Sequence, residues 1–379
     1  MKPIPAWKLK REFNRIVAQV SHALPIMWEY LTLTPRYDFL LSRKRKRYCG
    51  TKQLSAEVAV YLIFPKDGLL KSHLQMLAEL DKQNIAPVVV SNYPLSSDDL
   101  DRLKSLCAVI IERPNVGYDF GGYRDAIREL APRLSSLDRL FILNDSVWML
   151  DSKKSWFDAV READKDFCGA TSNYGIRRYS DLDFRELVWE YTPDHWNFHY
   201  ASYALAIGNR ILQDRDFLRF WKRFRLSNSK KRTVRRGEIG LSKWMKEKGY
   251  SHTATSDVHN IDKEMRALEP DDLQKVFEHL VLPESPRLVK KRDEVAQTDL
   301  HSAEGMSDRL NFILMSVSSL AIGYVLPYYT INSRGFQFIK KSPLWLSEDS
   351  ASITMDILEN LEGPLGRQAC LEAKDILKT

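Results

Sequence analysis

The amino-acid sequence predicts an α/β fold: a doubly wound, mostly parallel sheet with helices on both faces, and helical extensions at both ends. Three observations carry this prediction. Short, uninterrupted apolar runs alternate with amphipathic helices between residues 57 and 143, and polar or glycine-rich segments follow those runs. Residues 9–20 space their apolar residues as a helix does, and the composition turns charged and helical from residue 262 to 291. Uninterrupted apolar strands that alternate with helices are typical of a parallel sheet covered on both faces.

The first part of the sheet follows from four apolar runs of strand length. A helix with its leucines on one face is predicted from residue 69 to 83, and an acidic helix begins near Ser97, a residue type that caps helices. Ligands in this architecture bind beyond the carboxyl ends of the strands, so the residues after each run are the candidates. The four runs are residues 58–64, 88–91, 109–111 and 140–143.

The order of elements becomes less regular after residue 160. Short strands are predicted near Phe167 and Tyr203, and helices near Phe217 and Leu241. We divide the chain into a basic helical extension (1–52), an α/β domain (53–260) and a mainly helical region (261–379) that could contact an acceptor or a membrane.

The charge of the chain is moderately basic. Lys and Arg number 57 against 50 Asp and Glu, and the densest basic run is Arg43 to Arg47. Such clusters suit the phosphates of lipid head groups, nucleotides or nucleic acid, or are solvated loops. Since no nucleic-acid-binding motif accompanies them, we expect no nucleic-acid partner. The basic amphipathic pattern over residues 8–20 fits a helix on an anionic membrane, or one packed on its own domain.

Three features bear on where the protein resides. The uncharged stretch 310–329 is long enough to cross a bilayer, but it contains Asn311, three serines and Pro327, so we favour a buried or interfacial helix. No signal-peptide pattern opens the sequence, and the four cysteines lie far apart. We therefore expect a cytoplasmic protein with reduced thiols, peripheral on the inner face of a membrane.

A glycine-rich segment follows the third apolar run. Glycines between a strand and a helix let the backbone approach a ligand and leave amides to face an anion. An arginine at the start of the helix could reach a diphosphate, and an aspartate could reach a ribose or base edge. The alternative is a glycine-rich turn whose aspartate caps the helix. The candidate residues are Asn115, Gly117, Asp119, Gly121, Arg124 and Asp125.

Polar residues also follow the fourth run directly. Asn144, Asp145 and Ser146 would lie at the ligand-binding edge of the sheet. Asp145 could bind Mg²⁺ or Mn²⁺, because both ions prefer oxygen ligands and would bridge a diphosphate. The competing interpretation is a turn held by its own side chains.

Two later segments complete the set of candidates. His199, Ser202 and Tyr203 precede an apolar run, where polar and aromatic groups could hold a sugar, although a packed aromatic core is the commoner explanation. Glu238 is predicted at the start of a helix, where it would serve either as a general base or as a plain helix cap.

In their order and spacing, these segments resemble the rhamnan synthesis protein F family of bacterial polysaccharide glycosyltransferases. The resemblance covers residues 55–260, and the layout is also similar to distant family 2 glycosyltransferases of the GT-A fold. The segments that carry it are Ser91–Asn92, residues 115–125, 143–146, 199–203 and 237–241, with a further similarity at residues 335–340.

The resemblance implies a GT-A-like domain over residues 53–260. It would transfer a sugar, rhamnose by resemblance, from a nucleoside-diphosphate sugar to a lipid-linked or saccharide acceptor, in the synthesis of a cell-surface polysaccharide such as O-antigen, capsule or rhamnan. Glu238 would be the base of an inverting reaction, Asp145 the metal ligand, and His199, Ser202 and Tyr203 acceptor contacts. The implied donor contacts are Ser91, Asn115, Gly117, Asp119, Gly121, Arg124, Asp125, Asn144, Asp145 and Ser146.

Two departures from the wider pattern matter. The segment from Asn144 to Ser146 has one carboxylate where related enzymes often have two or three, and Ile239 stands after Glu238 in place of a second acid. The metal assignment therefore depends on Asp145, and the base assignment on Glu238. The departures keep open an alternative function, that of a non-catalytic, membrane-associated subunit of a polysaccharide assembly complex.

Overall fold

The computed structural model describes residues 25–283 and 285–378. In this part of the chain the strands are β1 Lys46–Cys49, β2 Glu57–Ile63, β3 Ala86–Ser91, β4 Val109–Glu112, β5 Arg139–Asn144, β6 Val147–Met149, β7 Phe167–Asn173, β8 His199–Tyr200, β9 Ala204–Gly208, β10 His252–Ser256 and β11 Phe338–Lys340.

The helices include α1, described over residues 25–39. The others are α2 Lys71–Lys82, α3 Ser97–Leu106, α4 Tyr118–Glu129, α5 Trp156–Ala163, α6 Asn209–Leu212, α7 Arg215–Arg223, α8 Lys230–Val234, α9 Gly240–Glu247, α10 Ile261–Arg266, α11 Pro270–Glu278, α12 Pro286–Ala296, α13 Ala303–Leu320, α14 Ile322–Val325, α15 Pro327–Asn332, α16 Pro343–Leu346, α17 Glu348–Glu359 and α18 Pro364–Lys378. Short 3₁₀ turns span Leu41–Lys44, Leu134–Ser136 and Phe184–Glu186, and a π-helical segment spans Arg235–Ile239.

The central sheet confirms the predicted fold class. Its strand order is β1-β4-β3-β2-β5-β9-β7-β10, with β8 paired to β7. The pairs β2–β3, β3–β4, β2–β5 and β7–β10 are parallel, whereas β9 runs antiparallel between β5 and β7. The sheet is therefore mostly parallel, with an antiparallel strand inserted near its middle and the antiparallel β1 at one edge.

The two faces of the sheet bury separate hydrophobic clusters. In β2, Val58 and Val60 face a cluster that contains Phe120 and Trp221, on the side of α4 and α7. The alternate residues of β2 face a second cluster, on the side of α2, α3 and α5. Because each central strand is buried on both faces, its residues are apolar without alternation, which is why the runs are visible in the sequence.

The amino-terminal extension is not wholly helical. Residues 1–24, which carry the basic amphipathic pattern, lie outside the described residues. α1 is a helix as expected, but residues 46–49 form the edge strand β1, which pairs antiparallel with β4. Within the basic run, Arg45 and Arg47 form ion pairs with Glu129, and Lys46 pairs with Glu112. Charged side chains on an edge strand also hinder pairing with other chains.

The carboxyl-terminal region builds a third cluster of its own. Phe277, Phe312 and Tyr329 pack there together with Phe184 and Leu187 from the α/β part of the chain. The stretch 310–329 is buried, as expected, and lies on α13, α14 and α15, which are separated at Ala321 and Leu326. Within the described residues, no helix combines the length and apolar character needed to cross a bilayer. The proposed domain boundaries stay a prediction.

A buried ion pair joins α1 to α4. The Arg124 guanidinium is 1% exposed and donates to both carboxylate oxygens of Asp38, at 2.8 and 2.7 Å, and Arg128 donates to the same carboxylate at 3.0 Å. Burial by itself would raise the pKa of Asp38, but the hydrogen bonds and charges of Arg124 and Arg128 outweigh it and hold the pKa below its ordinary value.

We expect Asp38→Asn to lower the free energy of unfolding at pH 7 by about 3 kcal/mol, because it leaves the buried Arg124 without a counter-charge. The pKa of Asp38 is lower in the folded than in the unfolded chain. Its contribution is therefore present above about pH 4 and is lost as the pH falls through the folded-state pKa. Urea denaturation at several pH values measures this difference. Asp67→Asn, at an exposed loop position, is the matched control and should change stability by less than about 0.5 kcal/mol. An equal loss in both variants would contradict the prediction.

Candidate active site

The site lies at one edge of the sheet. The carboxyl ends of β2, β3, β4, β5, β7 and β10 open to this edge, and β9 enters the sheet from it. In a sheet of this kind, ligands bind in the crevice beyond the carboxyl ends of the strands. The polar and charged residues that meet there are Asp119, Asn144, Asp145, Ser146, His199, Ser202, Glu238 and Lys340.

Asn144 organises the base of the cleft. Its side-chain amide donates to Asp119 at 3.1 Å and to the Tyr123 hydroxyl at 2.9 Å. Its carbonyl oxygen accepts from the backbone amide of Ser146 at 3.0 Å and from the Ser146 hydroxyl at 2.6 Å. Asn144 is 3% exposed, so it positions the residues around it and shows little surface to a ligand.

Asp145 is held by a buried histidine. One carboxylate oxygen accepts from the Phe64 amide at 2.6 Å and lies 3.1 Å from His73 Nε2. His73 Nδ1 accepts from the Leu70 amide, so in the neutral ring the proton is on Nε2 and points at Asp145. Burial works to raise the pKa of Asp145, but the hydrogen bond from His73, the charge of Lys341 and the hydrogen bond from the Phe64 amide bring it below its ordinary value.

The residues around Asp145 do not fit a protein-held divalent cation. Across residues 25–283 and 285–378, no three His, Cys, Asp or Glu side chains are grouped so that they could hold a metal ion. One oxygen of Asp145 is already engaged by two donors. Lys340 Nζ lies 3.4 Å from the Ser146 hydroxyl, so the site places a fixed positive charge beside the segment predicted to bind Mg²⁺ or Mn²⁺.

Glu238 lies across the cleft, in the π-helical segment that precedes α9. The sequence analysis predicted it at the start of a helix, and this position is wrong. One carboxylate oxygen accepts from the amide and the hydroxyl of Ser202, at 3.3 and 2.5 Å. The other lies 3.5 Å from His199 Nε2. Because His199 Nδ1 donates to the Asn197 carbonyl, a proton between the histidine and Glu238 requires a charged ring or a protonated carboxyl.

Lys340 is a residue of the cleft that the sequence analysis did not single out. It ends β11, which pairs antiparallel with β6 so that Lys340 stands opposite Val147. Its ammonium lies 4.1 Å from the centre of the Tyr203 ring and 5.6 Å from that of Tyr324. Burial lowers the pKa of Lys340, against the raising effects of Tyr324, Glu238 and Asp119. In the sequence, Lys340 could have been found through segment 335–340, which also resembles the rhamnan synthesis protein F family.

Asp119 shares the cleft with the other carboxylates. Burial first, and then the negative charges of Glu238 and Asp145, raise the pKa of Asp119 to about 6, although Lys340 and Lys230 act in the opposite direction. A carboxyl whose pKa is raised by burial and like charges in a cleft is typical of a functional site. Asp119 is therefore the residue of the glycine-rich segment that the structure brings to the site.

Other residues of that segment serve the fold. Arg124 is engaged by Asp38, and the buried Asp125 accepts from Arg113 Nε at 2.8 Å and from Tyr37. Both side chains are already engaged within the fold, so the structure does not support the expectation that Arg124 and Asp125 contact the nucleoside-diphosphate sugar. The physical reason is that both face the helix α1, whose position the sequence pattern does not specify.

The glycines and Ser91 are also explained by packing. A Cβ atom on Gly121 would lie 2.1 Å from the Val116 carbonyl oxygen, so this position excludes any side chain. Gly117 has a φ of 84°, and its amide donates to Asn228 at 3.1 Å. The Ser91 hydroxyl donates to the Tyr93 carbonyl, and Asn115 is exposed at the rim.

The raised pKa of Asp119 makes stability fall with rising pH. The stabilising effect of the neutral carboxyl is complete below the unfolded-state pKa near 4 and is lost as the pH rises through about 6. We expect Asp119→Asn to raise the free energy of unfolding at pH 7.5 by about 2 kcal/mol and to have little effect at pH 4.5. Urea denaturation of the ligand-free protein tests this, with Asp67→Asn as the control. Equal effects at the two pH values would show that the charge of Asp119 is not destabilising.

Comparisons with known proteins place the chain in a family. Among curated proteins, it is 32% identical over 275 residues to "Uncharacterized protein y4gN" of Sinorhizobium fredii (strain NBRC 101917 / NGR234), which covers 72% of this chain and 67% of the relative. Among solved structures, it is similar to galactosyltransferase LgtC in complex with donor and acceptor sugar analogs (10% identity, 81% of this chain, 97% of that chain, TM-score 0.33). It is also similar to the mannosyltransferase Ktr4p from S. cerevisiae (13% identity, 47% and 62%, TM-score 0.25). The sequence pattern of a family described as rhamnan synthesis protein F matches residues 87–311, more than half of the chain, and the protein belongs to this family.

Proposed function

We propose that the protein is a glycosyltransferase that moves a sugar from a nucleoside-diphosphate sugar to a saccharide or lipid-linked acceptor, in the synthesis of a bacterial cell-surface polysaccharide. Family membership supports the general activity. The observation that carries the proposal is that one cleft holds both Glu238, oriented by Ser202 and His199, and the partly buried Lys340. Sugar transfer from such a donor needs a base for the acceptor and a positive charge for the departing diphosphate.

Glu238 acts as the general base. Ser202 fixes one carboxylate oxygen, which leaves the second oxygen, on the His199 side, to accept the proton of the acceptor hydroxyl. The hydroxyl oxygen attacks the anomeric carbon as the bond to the diphosphate breaks, and the bonding electron pair leaves with the diphosphate. A single displacement with one base inverts the configuration at the anomeric carbon. The proton then passes from Glu238 to Nε2 of the neutral His199, or to water, and so regenerates the carboxylate.

Lys340 offsets the charge on the leaving diphosphate. Lys340 is partly buried, and the loss of solvation lowers the pKa of its ammonium; a bound diphosphate would stabilise the charged form of this side chain. The first amides of α4, residues 118–120, have no intrahelical partners and supply further donors at the same edge of the sheet. Asp119 and Asp145 accept hydrogen bonds from hydroxyl groups of the ribose or the sugar. Rhamnose is the sugar that the family resemblance implies, and dTDP-rhamnose is the first donor to test.

We expect Glu238→Gln to lower kcat by a factor of about 10² to 10⁴, because glutamine keeps the size of the side chain but cannot accept the proton. Donor binding should change little. Turnover of a panel of nucleoside-diphosphate sugars with a saccharide acceptor measures kcat, and calorimetric titration measures donor binding. Glu247→Gln, an exposed glutamate on α9, is the matched control. Near-normal turnover in a folded Glu238→Gln variant would remove this residue from the base role.

We expect Lys340→Gln to weaken donor binding by a factor of about ten or more, since the diphosphate loses its charge partner in a partly buried site. Wild-type protein should bind the donor in the presence of a chelator, and Lys165→Gln, at an exposed lysine, should behave as wild type. Calorimetric titration in the presence of chelator and of Mn²⁺ separates the contribution of Lys340 to donor binding from that of a metal ion.

Binding that requires Mn²⁺ and is lost in Asp145→Ala but kept in Lys340→Gln would assign the diphosphate to a metal at Asp145. No binding of any donor by the folded protein would favour the non-catalytic subunit of an assembly complex, the alternative that the single carboxylate of the Asn144–Ser146 segment leaves open.

A further inference from the structure

An arginine without a counter-charge lies in the segment that follows β7. Arg178 is exposed, and among the residues that the structure describes it forms no ion pair with a carboxylate, whereas its neighbour Arg177 lies 3.9 Å from Asp183. The guanidinium carbon of Arg178 lies 4.6 Å from the centre of the Tyr174 ring, and the cation–π attraction holds the side chain there. A guanidinium held in this way presents its N–H donors to a carboxylate or a phosphate.

The turn that supplies Tyr174 is fixed by its surroundings. Tyr174 directly follows β7 and has a φ of 60°, a left-handed conformation that is strained for a residue with a side chain. The Gly175 amide donates to the Asn197 side chain at 3.0 Å, and the Gly175 carbonyl accepts from the Thr192 amide at 2.8 Å. Backbone strain that neighbouring groups maintain is common at functional sites, so we asked which site this turn serves.

The turn borders the general base of the candidate active site. Asn173 pairs with His199 across β7 and β8, and the rings of Tyr174 and His199 lie 5.5 Å apart, centre to centre. His199 in turn lies 3.5 Å from Glu238. Burial raises the pKa of Tyr174, the charge of Arg178 opposes this effect, and the charge of Glu238 adds to it. The Tyr174 ring is therefore within electrostatic range of both the base and the arginine.

Arg178 and Lys340 lie towards opposite ends of segment 199–203. The segment pairs with β7 at its first residue, and the carbonyl of Tyr203 accepts from the last residue of β5 at 3.1 Å. Lys340 lies 4.1 Å from the centre of the Tyr203 ring, and Glu238 contacts two residues of the segment. Because β9 separates β5 from β7, these two strands are about 10 Å apart. An anion at Arg178 is therefore distinct from the diphosphate proposed at Lys340.

We propose that Arg178, positioned by Tyr174, binds a negatively charged group of the acceptor sugar. This group is either the phosphate ester of a lipid-linked sugar or the carboxylate of a uronic acid, since both accept paired hydrogen bonds from a guanidinium. The inference rests on the proposed function and adds to it a preference for an anionic acceptor. A neutral sugar leaves Arg178 without a partner and binds more weakly.

Titrations without any nucleotide donor, followed by ligand-observed NMR, test the proposal. Glucose 1-phosphate and glucuronate carry the two anionic groups, and methyl glucoside is the neutral probe. Wild-type protein should bind at least one anionic sugar about tenfold more tightly than the neutral one, and which of the two it binds separates phosphate from carboxylate. Arg178→Gln should remove this preference. Arg177→Gln, the matched control at an exposed neighbour, should keep it, and so should Lys340→Gln.

Two variants of Tyr174 test its positioning role. Tyr174→Phe keeps a ring beneath the guanidinium and should keep the preference for the anionic sugar, whereas Tyr174→Leu should lower it. Thermal denaturation checks that each variant is folded. An unchanged preference in Tyr174→Leu would remove the positioning role of this residue.

Three results would overturn the proposal. They are equal binding of charged and neutral sugars by the wild type, a preference that survives Arg178→Gln or falls equally in Arg177→Gln, and a preference lost in Lys340→Gln alone. In the last case the anion would bind at the diphosphate site. Failure of the proposed function is distinguishable, because it would appear as absent donor binding, and these titrations contain no donor.

Discussion

The parallel register of β2 with β3 and β5 is the constraint on which the rest of the structure depends. Ile63 pairs with Ser91 and Leu62 with Asn144, so the three strands end nearly level, and the polar residues after them reach one edge of the sheet. The antiparallel insertion of β9, with Ala204 opposite Leu143, brings residues that precede a strand to the same edge. A shift of one residue would turn each strand's side chains to the opposite face and break both hydrophobic clusters, so packing fixes the site.

The cleft at this edge of the sheet brings carboxylates close to one another and removes solvent from charged groups. Burial and the negative charges of Glu238 and Asp145 raise the pKa of Asp119 to about 6, and burial lowers the pKa of Lys340. The fold tolerates the conflict because specific donors hold each group: Asn144 for Asp119, His73 for Asp145 and Ser202 for Glu238. A cleft of poorly solvated charges is suited to a ligand that brings both hydroxyl groups and negative charge, as a nucleoside-diphosphate sugar does.

The glycine-rich segment shows how one motif divides between fold and function. Asp119 faces the cleft, whereas Arg124 and Asp125, five and six residues later, anchor α4 to α1 through Asp38 and Tyr37. Because Gly121 has no side chain, the start of α4 can approach the Val116 carbonyl closely. The contacts of Arg124 and Asp125 with α1 therefore fix the helix from whose first turn Asp119 reaches the cleft.

The sequence by itself determined the strands β2 to β5, their crossover helices and the edge at which Asn144 and Asp145 would lie, because apolar periodicity and the residues that follow a strand are local properties. It could not separate Asp119 from Arg124, since the partner of Arg124 lies 86 residues away, and it did not single out Lys340, which reaches Ser146 across 194 residues. Those assignments depend on how α1 and β11 dock against the sheet. Such docking is decided by long-range packing, and only the tertiary structure contains it.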